Sequence, residues 1–296
     1  MAETGTFGYE QANPFTGEID SFYNAKAALW APYYHNRQTQ LGNTATLINF
    51  GDRNNYGLET AATGTAKKFN ASGSSAVWTP TSVLSAWATA FDLSQESNWL
   101  GLAPILTFDG TNDGFSTPDI TYFSRGDGAN DSVVSIVVWV YFKATGSNEI
   151  LFSKSNTGLT SDSEYQFLKG GGELLGFVCR DASVPINVSR DTSGAITVGA
   201  WHCVAMTYAG TGGATAMNGA AIYVDGAAVT SAATNQATYV AMENGAQLNY
   251  IGSRSGSLRF NGKMLGGPWS PLFVQAELTA EQIANLYQVE RLGLGV

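Results

Sequence analysis

Gly199-Ala200-Trp201-His202-Cys203-Val204-Ala205-Met206-Thr207-Tyr208, followed downstream by Ile222-Tyr223-Val224-Asp225-Gly226, decides the fold class. Trp201 to Tyr208 is apolar and aromatic, opens after a glycine and has the length of a strand. Asp225-Gly226 suits the positive φ angles of a tight hairpin turn, so Ala221–Val224 and Ala227–Val229 are expected to pair across it. Working outward, further runs bounded by Gly, Asn, Asp or Ser read as strands: Leu106–Phe108, Val133–Phe142, Glu149–Ser153, Tyr165–Leu168, Leu174–Arg180, Ile186–Ser189, Gln247–Ile251, Arg259–Met264 and Leu272–Val274. Lys169-Gly170-Gly171-Gly172 is expected to turn the hairpin between the fourth and fifth of these. Near the end, Thr279 caps a helix with Gln282 as its reciprocal partner, and Ile283, Leu286 and Tyr287 recur at helical spacing. That helix is expected to lie as a short lid on one edge of an all-β domain.

Composition supports many strands and tight turns. Charged residues make up only 13% of the 296, against an average of about 25%, while 34 positions are Gly. The net charge of −9 sets an unfavourable field for nucleic acid, and no apolar run approaches a membrane span of about 18 residues. No basic segment followed by an apolar run opens the chain, so no secretion signal is expected. Cys179 and Cys203 fall in segments that both read as strands and are expected as neighbours in one sheet. Buried free thiols and a disulfide both stay open, and neither makes them catalytic.

Residues 1–26 read as an N-terminal arm, with Phe7, Tyr9, Phe15, Phe22 and Tyr23 too apolar for a solvated tail. Residues 27–290 read as one domain and 291–296 as a tail. Within the domain, an insertion at about 64–103 is rich in Ser, Thr and Ala. It also holds Trp78, Trp87 and Trp99, which argue for burial, and Val83 to Phe91 predicts a short helix.

The order of these segments resembles the laminin-G-like branch of the concanavalin-A-like lectin/glucanase superfamily. The resemblance is carried by Ala27-Ala28-Leu29-Trp30 with Thr44 to Gly51, by Leu106-Thr107-Phe108-Asp109-Gly110, and by Ser135 to Tyr141. Ile150-Leu151-Phe152-Ser153-Lys154, Gly199 to Tyr208, Ile222 to Gly226 and Leu278 to Ile283 complete it. It implies a jelly-roll β-sandwich over roughly residues 27–290. Such a fold hosts lectins, glycosidases, adhesion modules and passive structural domains, so function must be argued from a site.

Catalysis finds little support in the residues. Glycoside hydrolysis needs two suitably spaced carboxylates, and Glu18-Ile19-Asp20-Ser21-Phe22-Tyr23 offers only half of the glucanase strand, with Tyr23 where the second Glu belongs. Serine chemistry needs a histidine base, and the chain has only His35 and His202, the latter within the sheet motif. Gly252-Ser253-Arg254-Ser255-Gly256 carries Arg where a nucleophile elbow needs Ser. No cofactor is expected unless it is calcium, for which Asp109, Asn112 and Asp113 crowd one turn with oxygen ligands. Asp162 and Glu164 lie where the resemblance implies calcium ligands of pentraxin-like domains. The second half of that site would fall at residues 251–256, which hold no carboxylate.

The expectation is therefore a non-catalytic structural or binding module. It is expected in a phage or virus particle, as capsid decoration or tail or fibre protein, made in the host cytoplasm. Its expected partners are other virion subunits or copies of itself, together with cell-surface glycans. A stand-alone carbohydrate-binding lectin or adhesion module is the alternative.

Overall fold

The structure, a computed structural model, describes residues 103–294 with short gaps at 112, 118, 120, 122, 144, 157–162, 256 and 266–270, and five short strands upstream. The upstream strands are β1 (Ala27–Ala31), β2 (Ile48–Asn49), β3 (Asn70–Gly73), β4 (Ala76–Val77) and β5 (Ser97–Asn98). Then follow β6 (Ala103–Asp109), β7 (Gly114–Thr117), β8 (Val134–Phe142), β9 (Glu149–Lys154), β10 (Tyr165–Lys169), β11 (Leu175–Asp181) and β12 (Ile186–Thr192). The chain continues through β13 (Trp201–Tyr208), β14 (Ala220–Val224), β15 (Ala227–Ala228), β16 (Ser231–Thr234), β17 (Asn249–Ile251), β18 (Asn261–Leu265) and β19 (Leu272–Val274). Helix α1 (Ala280–Leu294) closes the described chain. The expected arm, the expected helix at 83–91 and the three tryptophans of the insertion lie outside the described residues.

The strands form two antiparallel sheets. The first runs β15-β14-β13-β8-β18-β6-β5, and the second runs β16-β12-β11-β10-β9-β17-β7-β3-β4. On the far side of β8, β18 pairs with residues 140–142 and β19 with residues 135–137, and β1 continues from β19. The upstream strands thus join both sheets: β1 and β5 extend the first, β3 and β4 the second.

The core lies between the sheets because each strand alternates. Val138 and Val140 of β8, Val204 and Met206 of β13, Phe167 of β10, and Phe177 and Cys179 of β11 all face inward and are fully buried. Phe152, Tyr165 and Phe273 stack at its centre, with Phe152–Phe273 ring centroids 5.4 Å apart. Hydrophobic burial of this kind contributes about 25 cal/mol per Å², and the aromatic pairs add to it.

The other face of the first sheet is apolar too. Val137, Trp139, Cys203, Ala205 and Tyr223 are covered by Leu278, Ile283 and Leu286, and Tyr287 stacks on Trp139 at 5.7 Å. The helix therefore lies across the sheet's outer face instead of capping one edge. Five apolar side chains on that face need cover, and an edge alone could not supply it. Its capping box forms as expected: Gln282 N donates to Thr279 Oγ1 (3.2 Å) and Thr279 N to Gln282 Oε1 (2.9 Å). The helix runs on to Leu294, four residues into the segment expected as a tail.

Both expected hairpins are present. Asp225 and Gly226 take φ of 51° and 80°, and the glycine turn closes with Gly170 N donating to Leu174 O (2.8 Å). Cys179 and Cys203 are both free and buried, but they lie in opposite sheets, one facing the core and the other facing the helix. The expectation that they neighbour each other in one sheet fails because β13 pairs with β8 and β14, never with β11.

Candidate functional site

The second sheet has no helix over it among the described residues, and its outward side chains differ in kind from those of the first. Alternation puts Gln166 outward between core residues Tyr165 and Phe167, and Val178 and Arg180 outward on either side of Cys179. On β12, Asn187 and Ser189 flank core residue Val188. Register then joins them into one row: Ser189 opposite Val178, Val178 opposite Gln166, Gln166 opposite Ser153, Ser153 opposite Tyr250, and Tyr250 opposite Ser116. Six strands at about 4.8 Å spacing make a row of about 24 Å; its middle members Gln166 and Ser153 are buried, while Ser116, Tyr250, Val178 and Ser189 are part-exposed. Arg180 and Asn187 sit opposite each other in the next row, with Arg180 Nη1 donating to Asn187 Oδ1 (3.0 Å).

Two polar atoms of this face have no hydrogen-bond partner. Gln166 is 3% exposed with its Nε2 buried and unpaired, and the Nε of half-buried Arg180 is likewise out of water and unpaired. An unpaired buried donor costs roughly 1–3 kcal/mol, so a pair of them close together marks a place where an acceptor belongs. Around them, Ser153 Oγ is committed to Ser253 O (2.9 Å), Ser189 Oγ to Asp191 Oδ2 (2.6 Å), and Gln247 Nε2 to the Tyr250 hydroxyl (3.2 Å).

Three carboxylates elsewhere, Glu164, Asp131 and Asp181, are bonded within the protein, whereas the buried Glu149 leaves its Oε2 without a hydrogen-bond partner. Glu164 is fully buried; its Oε1 pairs with Lys154 Nζ at 2.7 Å and accepts from Gly245 N, and its Oε2 accepts from Arg125 N. Burial pushes Glu164 above the usual carboxylate range, and Lys154 opposes that shift. Lys154 also reaches Asp119 at 3.0 Å and the Gly245 carbonyl. Asp131 accepts from the hydroxyls of Tyr208 and Tyr239 and from Met242 N. Asp181 accepts from Ser183, Val184 N and Val240 N; burial raises its pKa, and these bonds more than offset that. Both oxygens of Glu164 are thus held within the fold, by Lys154 and two backbone amides; Asp162 lies outside the described residues.

At the turn after β6, Asp113 Oδ2 accepts from Asp109 N (2.9 Å) and Asp109 Oδ1 from Thr111 N (2.7 Å). Arg259 Nη1 donates to the Asp113 carbonyl (2.9 Å). Burial raises the Asp113 carboxyl to about 7, with nearby Asp109 adding to the rise. Asn112 lies outside the described residues. Two carboxylates that already hold backbone N–H groups make a partial set for an ion that takes six to eight oxygens. Among the described residues no group of three or more His, Cys, Asp and Glu converges as a metal site.

His202 Nδ1 bonds Asp225 Oδ2 (2.8 Å), and the same carboxylate accepts from Cys203 N (3.0 Å). Its Nε2 is buried with no partner, so no hydroxyl stands ready to be activated. His35, Glu18 and Asp20 lie outside the described residues. In the loop without a nucleophile, Arg254 N and Ser257 O close a small turn at 2.8 Å.

A family model described as the concanavalin A-like lectin/glucanases superfamily matches residues 109–266, more than half of the chain. The chain belongs to this superfamily. No curated protein matches it. Among solved structures, it is similar to botulinum neurotoxin type C, in a structure described by cell entry through two ganglioside molecules. That pair has 11% identity and a TM-score of 0.53 over 91% of this chain and 52% of that one. It is also similar to domain 4 of an extracellular arabinanase from Geobacillus stearothermophilus in complex with arabinotriose. There the identity is 18% and the TM-score 0.40, over 64% of this chain and 78% of that one. The CBM40 module of a Ruminococcus gnavus sialidase, bound to α2,3-sialyllactose, matches at 13% identity and a TM-score of 0.40, over 54% and 84% of the two chains. The superfamily member spans about half the length of the botulinum chain and 27% of a Trypanosoma rangeli sialidase chain. At these identities the likeness is one of fold.

Sequence reasoning missed the outer-face row because its members are scattered from Ser116 to Tyr250, one or two to a strand. The signal was present locally, in a glutamine set between Tyr165 and Phe167 and in Arg180 after Cys179. Only the register shows that they share a surface.

Proposed function

We propose that the chain is a non-catalytic binding module that takes carbohydrate along the outer face of its second sheet. The observation that carries this is the row from Ser116 to Ser189 with the buried, unpaired amide of Gln166 in its middle. Sugars present hydroxyls that both accept and donate, and the row sets beside the orphan amide the part-exposed Tyr250 phenol, which accepts from Gln247 and has its own O–H to donate. The ganglioside named for the botulinum structure supports the ligand class, through a shared fold alone. Absence of catalysis is part of the same proposal. It is supported by Glu164, Asp131 and Asp181 being tied to internal donors and by the lack of a hydroxyl at His202 Nε2.

The test is a glycan array with wild type and Gln166→Leu, followed by incubation of any bound oligosaccharide with the protein. Binding is expected that Gln166→Leu weakens about tenfold, with no reducing sugar released. A folded wild type that binds nothing on the array, or one that hydrolyses what it binds, overturns the proposal. The setting we propose for this module is a virion surface, supported by the low charge and by the Ala, Gly, Ser, Thr and Asn richness of the chain. Mass spectrometry of purified particles decides between that setting and a free-standing lectin.

A further inference from the structure

We propose that β16 (Ser231–Thr234), the end strand of the second sheet, is an interface to a second copy of this chain, paired antiparallel across a two-fold axis at Ala232. Among the described residues β16 is hydrogen-bonded to β12 alone. Ser193 N donates to Thr230 O (2.8 Å), which fixes the parity of that ladder: Thr230, Ala232 and Thr234 turn their backbone groups toward β12. Alternation then points the N–H and C=O of Ser231 and Ala233 the other way, out of the sheet edge. Thr230, Ala232 and Thr234 are exposed and small, so another strand can come alongside without displacing a bulky side chain.

Exposed sheet edges are ordinarily kept short or guarded by lysine, proline or a bulge. The other sheet ends, β15, β5 and β4, are two residues each. By contrast β16 has four residues, its pairing with β12 runs from Ser231 to Thr234 without a register shift, and neither a charge nor a proline occurs from Ala227 to Met242. The absence of charge bears on the occupant. Each chain carries −9 overall, so two copies repel in general, yet at this edge they meet over a stretch that brings no charge of its own.

Geometry makes the strand complementary to itself in one register. With the axis at Ala232, Ser231 of each copy lies opposite Ala233 of the other, and their outward backbone groups exchange about four N–H···O=C bonds. An axis at Ser231 would call on the amide of Val229, which already donates to Ile222 O (3.0 Å), and an axis at Ala233 would draw in Asn235, beyond the strand. On the axis the two Ala232 residues form a close, non-hydrogen-bonded pair with Cα atoms about 4.5 Å apart. Because Thr234 lies opposite Ser189 of β12, the pairing joins the outer faces of the two second sheets into one surface.

A four-residue edge lies at the small end of specific interfaces, so half-dissociation is expected at roughly 10–100 μM. The experiment is sedimentation velocity of the full chain from about 1 to about 500 μM, a range that brackets this value, with Ala232→Lys, Ala232→Cys and Thr234→Cys alongside. Ala232→Lys sets two like charges face to face on the axis and is expected to weaken the dimer about tenfold, with a melting temperature within a few degrees of wild type because the side chain is exposed. Under air with a copper–phenanthroline catalyst, Ala232→Cys is expected to form an intermolecular disulfide, since a Cα separation of about 4.5 Å suits one. Thr234→Cys is expected to stay unlinked, its two copies lying about 14 Å apart in this register. Cys179 and Cys203 are buried and do not compete. A monomer at every concentration, which is also the result if residues 1–26 of the same chain fill the edge, overturns the pairing. So does a dimer that Ala232→Lys leaves intact, or equal cross-linking of the two cysteine variants.

Discussion

Asp131 holds three donors with one carboxylate, which makes its removal a stringent test of how the long loop after β16 is fixed. Tyr239 and Met242 belong to that loop, and Tyr208 ends β13. Their hydroxyl, amide and hydroxyl meet at Asp131, with Tyr239 Oη at 2.9 Å and Met242 N at 2.7 Å. Asp131→Ala strands all three donors in a site where Tyr208, Tyr239 and Met242 are essentially buried. Each orphan costs about 1–3 kcal/mol, and losing a buried carboxylate returns part of that, so a net loss of about 3–5 kcal/mol is expected. Urea unfolding at constant m-value measures it, and hydrogen exchange at the Met242 amide should show the loop opening well before the sandwich. A loss below about 1 kcal/mol with Met242 still protected would refute the clamp.

The same residue sets a pH dependence. Burial raises the Asp131 pKa, although the bonds from Tyr208, Met242 and Tyr239 pull the other way. A carboxyl whose folded pKa lies above its unfolded value binds its proton more tightly when folded. Its contribution is therefore greatest at acid pH and is lost as pH rises from the unfolded value through the folded one. Asp131→Asn keeps the shape but cannot titrate, so the stability gap between wild type and this variant should narrow from pH 4 to pH 8. A gap that widens over that range would reverse the sign.

Gly252→Ala should destabilise by about 2–4 kcal/mol in chemical denaturation, because Gly252 has φ of 69° and a Cβ there would lie 2.5 Å from Phe108 Cε1 in the core. Thr279→Ala removes the acceptor for Gln282 N and should lower stability by about 1 kcal/mol without changing the second sheet's ligand binding. Calcium titration followed by melting temperature addresses Asp109 and Asp113. A rise that disappears in Asp113→Asn establishes a cation site there, and no rise assigns the turn to its hydrogen bonds alone.

How much of this was legible in the sequence depends on how far each feature reaches along the chain. Val134 to Phe142 and Trp201 to Tyr208 are long, apolar runs, and their strands stand where periodicity puts them. The capping box of Thr279 and Gln282 is a signal confined to four residues, and it forms as such. Ser231–Thr234 became a strand with none of the aromatic or β-branched bulk that marks one, apart from Thr234; it is held by pairing with β12, which a local reading cannot see. Glu164 shows the same limit for chemistry. In sequence it is an acid beside Asp162 and looks like a ligand. In space it meets Lys154, ten residues earlier, and two backbone amides from positions 125 and 245, so its negative charge serves to hold the fold together. Gln166 is the converse case: a glutamine between two core aromatics reads as a solvated outward position, yet it is buried and unpaired. Function separates from architecture at this point. An acid satisfied by its own fold has nothing left to offer a ligand, and a donor left unsatisfied on a sheet face does.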